Sequence, residues 1–585
     1  TYATLNAAVS DLTTRGVSAP VTFRLKSGTF NEQVTLPAIT GASTTNLVTF
    51  ESESGNATDV VLNFTAASAS TNYVFNFTGA SFIKLRNLSI QTSGSSNTRA
   101  ILGSGNLNDL TFEGLRITLP STSTVNENLG AIIIRPTVST NIRFLNNTFT
   151  GGSHGILHVG NNTNRSPGTV ITGNTFTNVY ARPVYLEYMN GVVFNDNVVN
   201  GSSYSDYYGV SVRTSSGYLE MLRNRITGGS GYALYLYYPN GSGLIANNFF
   251  HSASTSGYQT VYILYGLNNT NFYHNSVSAT GSGEAFHFDR YQSTGNRIVN
   301  NIFSANTGLA VNHQTPSAVN SVVEMDYNDL FTSGSFLGRV LSTNYGTLEQ
   351  WRTGSGFDAN SVFFDPQFAS ATDLTPSAPG IASAGKNLLA DVPTDIDGAA
   401  RTTTPSLGAK QFSAAALSPL SGTYTIGTGA FDYPTINAAI NAMRVNGING
   451  PVTFLLNSQT FNERFTLPAI SGSGASNPII FQSQSGTAAD VILTAPAAAS
   501  SATNYIALLS NAAFVSFKNL TFQPATSTSF QRSVYIDNRA DDITFENLIF
   551  TLPTTTSVTE DRAAIIARPT VSTNIRFLNN TFTGG

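Results

Sequence analysis

The chain has 585 residues, several times the usual domain size, so we expect at least two domains or one elongated fold. Charged residues make up only 11%, the net charge is −4, and cysteine is absent. With this charge we expect no nucleic-acid binding, and without cysteine the chain can form neither disulfides nor thiolate metal sites. No apolar run approaches the roughly 20 residues of a membrane span, so we expect no direct membrane insertion.

Apolar residues near Thr1 follow the spacing of an amphipathic helix. Leu5, Ala8, Val9 and Leu12 lie three or four positions apart, and Gly16 can end the helix. We predict a capping helix over about residues 3–15 that covers the open end of the fold behind it.

The middle of the chain repeats an asparagine between two apolar residues. Its members are Asn147, Asn174, Asn197, Asn224, Asn248, Asn275, Asn301 and Asn328, spaced 23 to 27 residues apart. Short alternating strands at this period are typical of the coils of a parallel β-helix, whereas a propeller blade needs roughly 40 residues. We predict an all-β solenoid with coils over about 20–335. Each asparagine is expected to adopt a left-handed turn and bond to its neighbours in a structural ladder.

The strands that precede these asparagines carry a distinct surface. Alternation places one outward column at Tyr185, Ser211, Tyr235, Tyr262 and His287, and a second at Glu187, Arg213, Tyr237, Leu264 and Asp289. Sixteen of the 24 tyrosines lie between Tyr180 and Tyr291. Such a row can bind a glycan or a partner, with tyrosines stacked on sugar rings, or it can be a purely structural ladder; both interpretations remain open.

Catalysis on this surface has few candidate residues. Glycoside hydrolysis needs two carboxyls roughly 5–9.5 Å apart, whereas Glu187 and Asp289 are predicted four coils, or about 19 Å, apart. A lyase needs a base beside a cation, which leaves Arg213 or Arg290. Arg290 beside Asp289, with His287 nearby, is the best catalytic cluster, although a surface ion pair is the simpler interpretation.

Residues 336–413 are rich in proline and glycine and lack the asparagine repeat, so we assign them to a closing region. Within it, Asp395 and Asp397 have the first spacing of a calcium loop, but the later ligands are missing. We therefore predict a turn stabilised by aspartate, and no metal. A linker is expected at 414–430.

A second, truncated unit is predicted at 431–585. Its helix pattern returns at Ile436, Ala439, Ile440 and Met443, and "RPTVSTNIRFLNNTFTGG" is identical at Arg135–Gly152 and Arg568–Gly585. Unit 1 therefore spans 1–413. Because both ends cut through a unit, we expect the sequence to be part of a longer tandem array.

The segments "TDIDGAARTTTPSLGAKQF", "YPTINAAINAM", "GPVTFLL" and "TFNE" resemble the large right-handed parallel β-helix repeat proteins of Bacteroidota. The resemblance covers essentially the whole chain. It implies a right-handed coil, export to the cell surface, often by the type IX route, and in several members adhesion or gliding motility.

We therefore predict a non-enzymatic adhesin or filament protein, extracellular on a bacterial cell surface and without a cofactor. Its expected partners are a surface glycan or neighbouring copies of the same chain, and no nucleic acid. The alternative is a polysaccharide lyase or glycoside hydrolase on the same scaffold, and a phage-type tail fibre is a distant third.

Overall fold

Strands pair in parallel along almost the entire chain. The computed structural model describes residues 1–289, 293–314, 321–525, 529–554 and 558–585. Each coil of the first unit adds one strand to each of three rows, which gives the solenoid three faces. The prediction of an all-β parallel solenoid is confirmed.

The first row contains the surface singled out above. Seven of its strands are numbered β1 to β7 and span Arg182–Glu187, Tyr208–Arg213, Tyr232–Tyr237, Val261–Leu264, Phe286–Phe288, Val311–His313 and Gly338–Val340. They follow Val34–Pro37, Phe75–Thr78, the first half of Ile101–Glu113, Gly130–Thr140 and His154–Val159. Strand β7 also pairs, antiparallel, with Thr343–Tyr345.

The second and third rows complete each coil. The second comprises Val21–Leu25, Val48–Ser52, Ser81–Arg86, the second half of Ile101–Glu113, Arg143–Leu145, Ser166–Thr172, Met189–Asn195, Ser216–Leu222, Gly243–Ala246, Thr270–Tyr273, Asn296–Val299 and Val322–Asp326. The third comprises Gly28–Phe30, Val60–Phe64, Ser89–Thr92, Arg116–Thr118, Thr148–Thr150, Thr175–Thr177, Val198–Val199, Arg225–Thr227, Phe249–Ser252, Ser276–Ala279, Ile302–Ala305 and Asp329–Thr332.

Inward side chains of successive coils stack to form the core. Phe149 and Phe176, for example, lie parallel with ring centroids 4.6 Å apart, and Phe112 stacks on Phe144 at 5.4 Å. Strand alternation sends these rings inward, and parallel pairing brings each ring over the equivalent one in the next coil. The interior is therefore a continuous apolar column that fixes the outward register.

The asparagines form a buried hydrogen-bonded ladder. Asn248 Oδ1, for example, accepts from the backbone N–H of Asn224 at 2.9 Å and from its Nδ2 at 2.8 Å. The ladder ends in the closing region, where Asn328 donates to Ser361 and Asp358.

The expected left-handed conformation of the ladder asparagines is wrong. The positive φ belongs instead to the residue immediately before each of them: Asn146, Gly173, Asp196, Arg223, Asn247, His274, Asn300 and Tyr327. The chain thus turns one residue earlier, and the ladder asparagine points inward to serve as a hydrogen-bonding partner.

Helix α1 (Leu5–Arg15) lies at the start of the chain and buries the four apolar residues that predicted it. Thr4 caps its N-terminus, and the Glu32 carboxylate accepts the N–H groups of Leu5 and Asn6. Helix α2 (Leu348–Ser355) covers the far end of the coils with Trp351, and helix α3 (Ile436–Asn446) repeats the design of α1. Within the described ranges, no helix is long and apolar enough to cross a membrane.

Short 3₁₀ turns connect several strands, at Ala57–Asp59, Ala69–Thr71, Glu127–Leu129, Pro379–Ile381, Ala488–Asp490, Ser501–Thr503 and Glu560–Arg562. The closing region packs against the outside of the coils. Buried Arg401, whose pKa is lowered to about 10 by burial, donates to Asn247 Oδ1 and to the carbonyls of Gly408 and Ala409.

A second solenoid begins inside the expected linker. Its strands are Leu420–Ile426, Ile448–Leu456, Thr460–Asn462, Phe465–Leu467, Ile479–Ser483, Ile492–Thr494, Ala507–Lys518, Thr521–Phe522, Val534–Glu546, Ile549–Thr551, Ile565–Thr573, Arg576–Leu578 and Thr581–Thr583. The prediction of a linker over all of 414–430 is therefore wrong, because the strand Leu420–Ile426 pairs with Ile448–Leu456. Arg539 Nη2 donates to Gln350 on α2 and joins the two solenoids.

Candidate functional site

The two predicted columns lie side by side on strands β1 to β5. Tyr185, Ser211, Tyr235, Tyr262 and His287 are in register, and so are Glu187, Arg213, Tyr237 and Leu264. We call this surface, together with Tyr208 and Tyr232 at the strand starts, the tyrosine strip. Parallel pairing at about 4.8 Å per strand makes it roughly 19 Å long from β1 to β5.

Arg213 lies among the rings of the strip. Its guanidinium carbon is 4.9 Å from the ring centroid of Tyr235, 5.4 Å from Tyr185, 5.6 Å from Tyr208 and 5.9 Å from Tyr237. Its Nε lies 3.3 Å from Ser211 Oγ, and no carboxylate of the described residues forms an ion pair with it. The aromatic faces hold this cation in place without an ion pair among the described residues.

A tyrosine and a carboxylate lie beside this arginine. The Tyr185 hydroxyl donates to Glu187 Oε2 at 3.0 Å, and Glu187 is the register partner of Arg213 on the next strand. Burial raises the pKa of Tyr185 to about 12, so the phenol keeps its proton at neutral pH. One arginine, one phenol and one carboxylate therefore share two neighbouring strands.

The tyrosines are more tightly packed than predicted. We expected Tyr235 to stand outward in a flat, wet aromatic path, but it is only 8% exposed. Tyr208, Tyr232 and Tyr262 surround it edge-on, with ring centroids 5.0, 5.3 and 5.7 Å away. Tyr235 thus supports the strip from below, whereas Tyr185, Tyr237 and Tyr262 remain half-buried at its surface.

Two of these supporting residues were missed in the sequence. Tyr208 and Tyr232 stack at 4.9 Å, and Arg182 lies over the Tyr208 ring at 4.0 Å while pairing with Asp206. All three lie three residues before the first column, where simple alternation would turn them inward. The repeated spacing of Arg182, Tyr208 and Tyr232 is the signal that could have found them.

The two carboxylates considered for hydrolysis are far apart. Glu187 lies on β1, and Asp289 follows β5, four strands away. The predicted separation of about 19 Å is therefore in line with the strand order. Arg290, the third member of the predicted cluster, lies outside the described residues.

His287 ends the strip. Its Nδ1 is 2.8 Å from Glu284 Oε2, and its ring meets the edge of Tyr262 with centroids 4.5 Å apart. Asn312 on β6 donates to Glu284 Oε1 at 2.6 Å. Glu284 and Asn312 were not identified from the sequence, since Glu284 lies in the loop before β5.

The aspartates of the closing region form a turn. Asp395 Oδ1 accepts the N–H groups of Asp397 and Ala399, each at 2.9 Å, as predicted for an aspartate-stabilised turn. Asp397 pairs instead with Arg225 and Lys410. Among the described residues, no three His, Asp or Glu side chains are grouped closely enough to hold a metal ion.

Residues 164–334 match the sequence family described as "Right handed beta helix region". The part of the three-faced coil that carries the tyrosine strip is therefore similar to right-handed β-helices. No curated protein matches the sequence. The match supports the coarse fold assignment and says nothing of Bacteroidota or of a secretion route.

Several solved structures are similar to this chain at low TM-score. The PL6 family alginate lyase AlyGC has a TM-score of 0.34 at 10% identity, over 99% of this chain and 80% of that one. A mannuronic acid specific polysaccharide family 6 lyase from human gut microbiota gives 0.31 at 14% identity, over 62% and 89%. The Azotobacter vinelandii mannuronan C-5 epimerase AlgE6 A-module gives 0.28 at 13% identity, over 62% and 95%.

The prediction of a non-enzymatic adhesin or filament is corrected by this comparison, because the similar structures include several polysaccharide lyases and an epimerase. At such low identity and TM-score the likeness concerns the fold alone.

Proposed function

We propose that the chain is a polysaccharide lyase that cleaves acidic polysaccharides along the tyrosine strip. The observation that carries this proposal is Arg213, a cation without a carboxylate partner among the described residues, enclosed by four tyrosine rings. A guanidinium placed in this way complements a carboxylate on the ligand, because it offers several N–H donors in a fixed plane.

The shape of the strip favours a long ligand. Half-buried tyrosine rings and their hydroxyl groups line about 14 Å of one solenoid face, from Tyr185 to Tyr262, which suits stacking and hydrogen bonding to several consecutive sugars. Arg213 favours a ligand with carboxylates, and the row of tyrosines favours a long ligand with sugar rings. An acidic polysaccharide has both properties. We propose further that the chain works outside the cell, at a bacterial surface, where such polymers are found.

Elimination is favoured over hydrolysis. Hydrolysis requires two carboxyls roughly 5–9.5 Å apart, and Glu187 and Asp289 are separated by four strands. Elimination from a uronate needs only a base and a group that stabilises the sugar carboxylate. Tyr185, Glu187 and His287 supply proton-transfer groups on the same face.

The test is cleavage of alginate, polygalacturonate and hyaluronan, followed by the absorbance of the unsaturated uronate product. We expect activity on at least one of them. Replacing Arg213 by alanine should raise KM about tenfold or more, as expected for loss of a charge-assisted contact.

Arg297→Ala is the matched control, because Arg297 lies in the second row and pairs with Glu324. That variant should keep the KM of the parent chain. Absence of cleavage of all three polymers, or equal KM values for the two variants, would contradict the proposal. Binding of a polymer without cleavage would restrict the strip to glycan recognition.

A further inference from the structure

The far end of the tyrosine strip holds an oriented imidazole. The His287 side chain is 8% exposed and its partner Glu284 15% exposed, so the pair is largely shielded from water. An ionised carboxylate only accepts hydrogen bonds, which places the proton of a neutral His287 on Nδ1. Nε2 then carries the lone pair, and no described residue forms a hydrogen bond with it.

The carboxylate that orients His287 is itself fixed from the next strand. Asn312 Nδ2 donates to Glu284 Oε1 at 2.6 Å, and Gln314 Nε2 donates to Asn312 Oδ1 at 2.8 Å. His287 and Asn312 are register partners on β5 and β6. A base that is oriented by a fixed carboxylate is an arrangement that recurs in general-base catalysis.

A cation lies two strands further along the same column. Arg339 on β7 is the register partner of Asn312, so its Cα is about 9.6 Å from that of His287. Its Nε donates to Asn344 Oδ1 at 2.7 Å on the next strand, Thr343–Tyr345, and its guanidinium forms no ion pair with a carboxylate among the described residues. A sugar lying over β6 would lie between the strands that carry His287 and Arg339.

We propose that His287 is the catalytic base of the chain, with Arg339 binding the carboxylate of the sugar at which cleavage occurs. This inference rests on the proposed lyase function. Nε2 removes the proton at C5, the released electron pair forms the C4–C5 double bond, and the C4–O4 bond breaks. The imidazolium then returns the proton to the leaving O4, so no further reactant is needed. Glu284 and Asn312 are positioning residues.

This placement gives the strip a direction. Arg213 lies three strands before His287 and binds a carboxylate on a sugar several units from the cleaved bond. Arg213 and Arg339 therefore have different roles. Loss of Arg213 weakens binding of long substrates, whereas loss of Arg339 slows cleavage of substrates of any length.

The experiment uses the full chain and whichever of the three polymers it cleaves fastest. His287→Asn should lower kcat at least a hundredfold with KM within about twofold. Glu284→Gln should lower kcat about tenfold and shift the acidic limb of the pH–rate profile, a change that lost packing would not produce. Arg339→Ala should lower kcat/KM on both long and short oligomers.

His251→Asn is the control, because His251 is also a buried histidine but bonds to Thr280 in the third row, away from the strip. If the parent chain cleaves a polymer and His287→Asn keeps the kcat of this control, the base lies elsewhere and the inference fails while the lyase function stands. If the parent chain cleaves nothing, both fail. Should His287→Asn not fold, Glu284→Gln and Arg339→Ala decide in the same way.

Discussion

At the scale of single residues, buried ionisable groups distinguish this solenoid from a purely apolar one. Asp329 lies in the third row with no measurable exposure. Its Oδ1 accepts the N–H of Phe364 at 2.9 Å, whereas Oδ2 has no hydrogen-bond partner. Burial raises the pKa of this carboxyl well above its usual value.

Asp329→Asn should therefore stabilise the protein at pH 8 and not at pH 4. Because the pKa of Asp329 is raised in the folded state, its contribution to stability is fully present below the unfolded pKa of about 3.8. That contribution is lost as the pH rises through the folded pKa. The amide carries no charge at either pH. Melting temperatures at the two pH values check this, with exposed Asp373→Asn as control. An equal gain at both pH values would rule out a titration effect.

At the scale of elements, the tyrosine strip is a packed layer and not a row of separate rings. Tyr232 contacts Tyr208, Tyr235, Tyr258 and Tyr262, all with ring centroids within 5.5 Å. The rings of this layer fix the position of the Arg213 guanidinium on the surface of the strands. Binding and folding are thus coupled here, because the rings that shape the site also stabilise the strands beneath it.

Tyr235→Ala should consequently destabilise the fold by about 3–5 kcal/mol, as expected for truncation of a buried aromatic side chain. Tyr185→Ala, at the half-buried rim, should cost clearly less. Urea unfolding midpoints of the two variants provide the comparison. A midpoint for Tyr235→Ala that is no lower than that for Tyr185→Ala would contradict the supporting role of Tyr235.

The sequence was informative for the elements and poor for this layer. The period of the asparagines and the alternation within strands were sufficient for the coils, for helices α1 and α3 and for the register of Tyr185 with Tyr262. Alternation treats a strand as having two faces, so it missed Tyr208 and Tyr232, which lie where the coil turns a corner. Glu284 and Asn312 become neighbours only through parallel pairing, which a linear pattern does not show.

At the scale of the whole molecule, the asparagine ladder joins the coils from Asn147 to Asn328 by buried bonds of similar length. Solenoid stability is a sum of coil stabilities and of contacts between neighbours. A break in the ladder should therefore weaken both sides of the break, and not one residue alone.

Asn224→Ala tests this at the centre of the ladder. It leaves the buried N–H of Asn197 and the carbonyl of Phe194 without their partners, each at a cost of about 1–3 kcal/mol. Asn200→Ala is the control, since the Asn200 side chain is exposed and makes a single long contact. Chemical unfolding should show a marked loss of stability for the first variant only. A loss shared equally by both variants would argue against a cooperative ladder.

Coil length varies without disturbing the ladder. Only four residues connect Thr177 to the start of β1, whereas eight connect Val199 to the start of β2, yet the ladder bonds of both coils measure 2.9 Å. The extra length is confined to one corner, which borders the tyrosine strip and carries Tyr204 and Asp206. Insertions and deletions at this corner can therefore accumulate over evolution without shifting any strand. The sequence and length of the rim of the strip can therefore change while the strands and the ladder keep their positions.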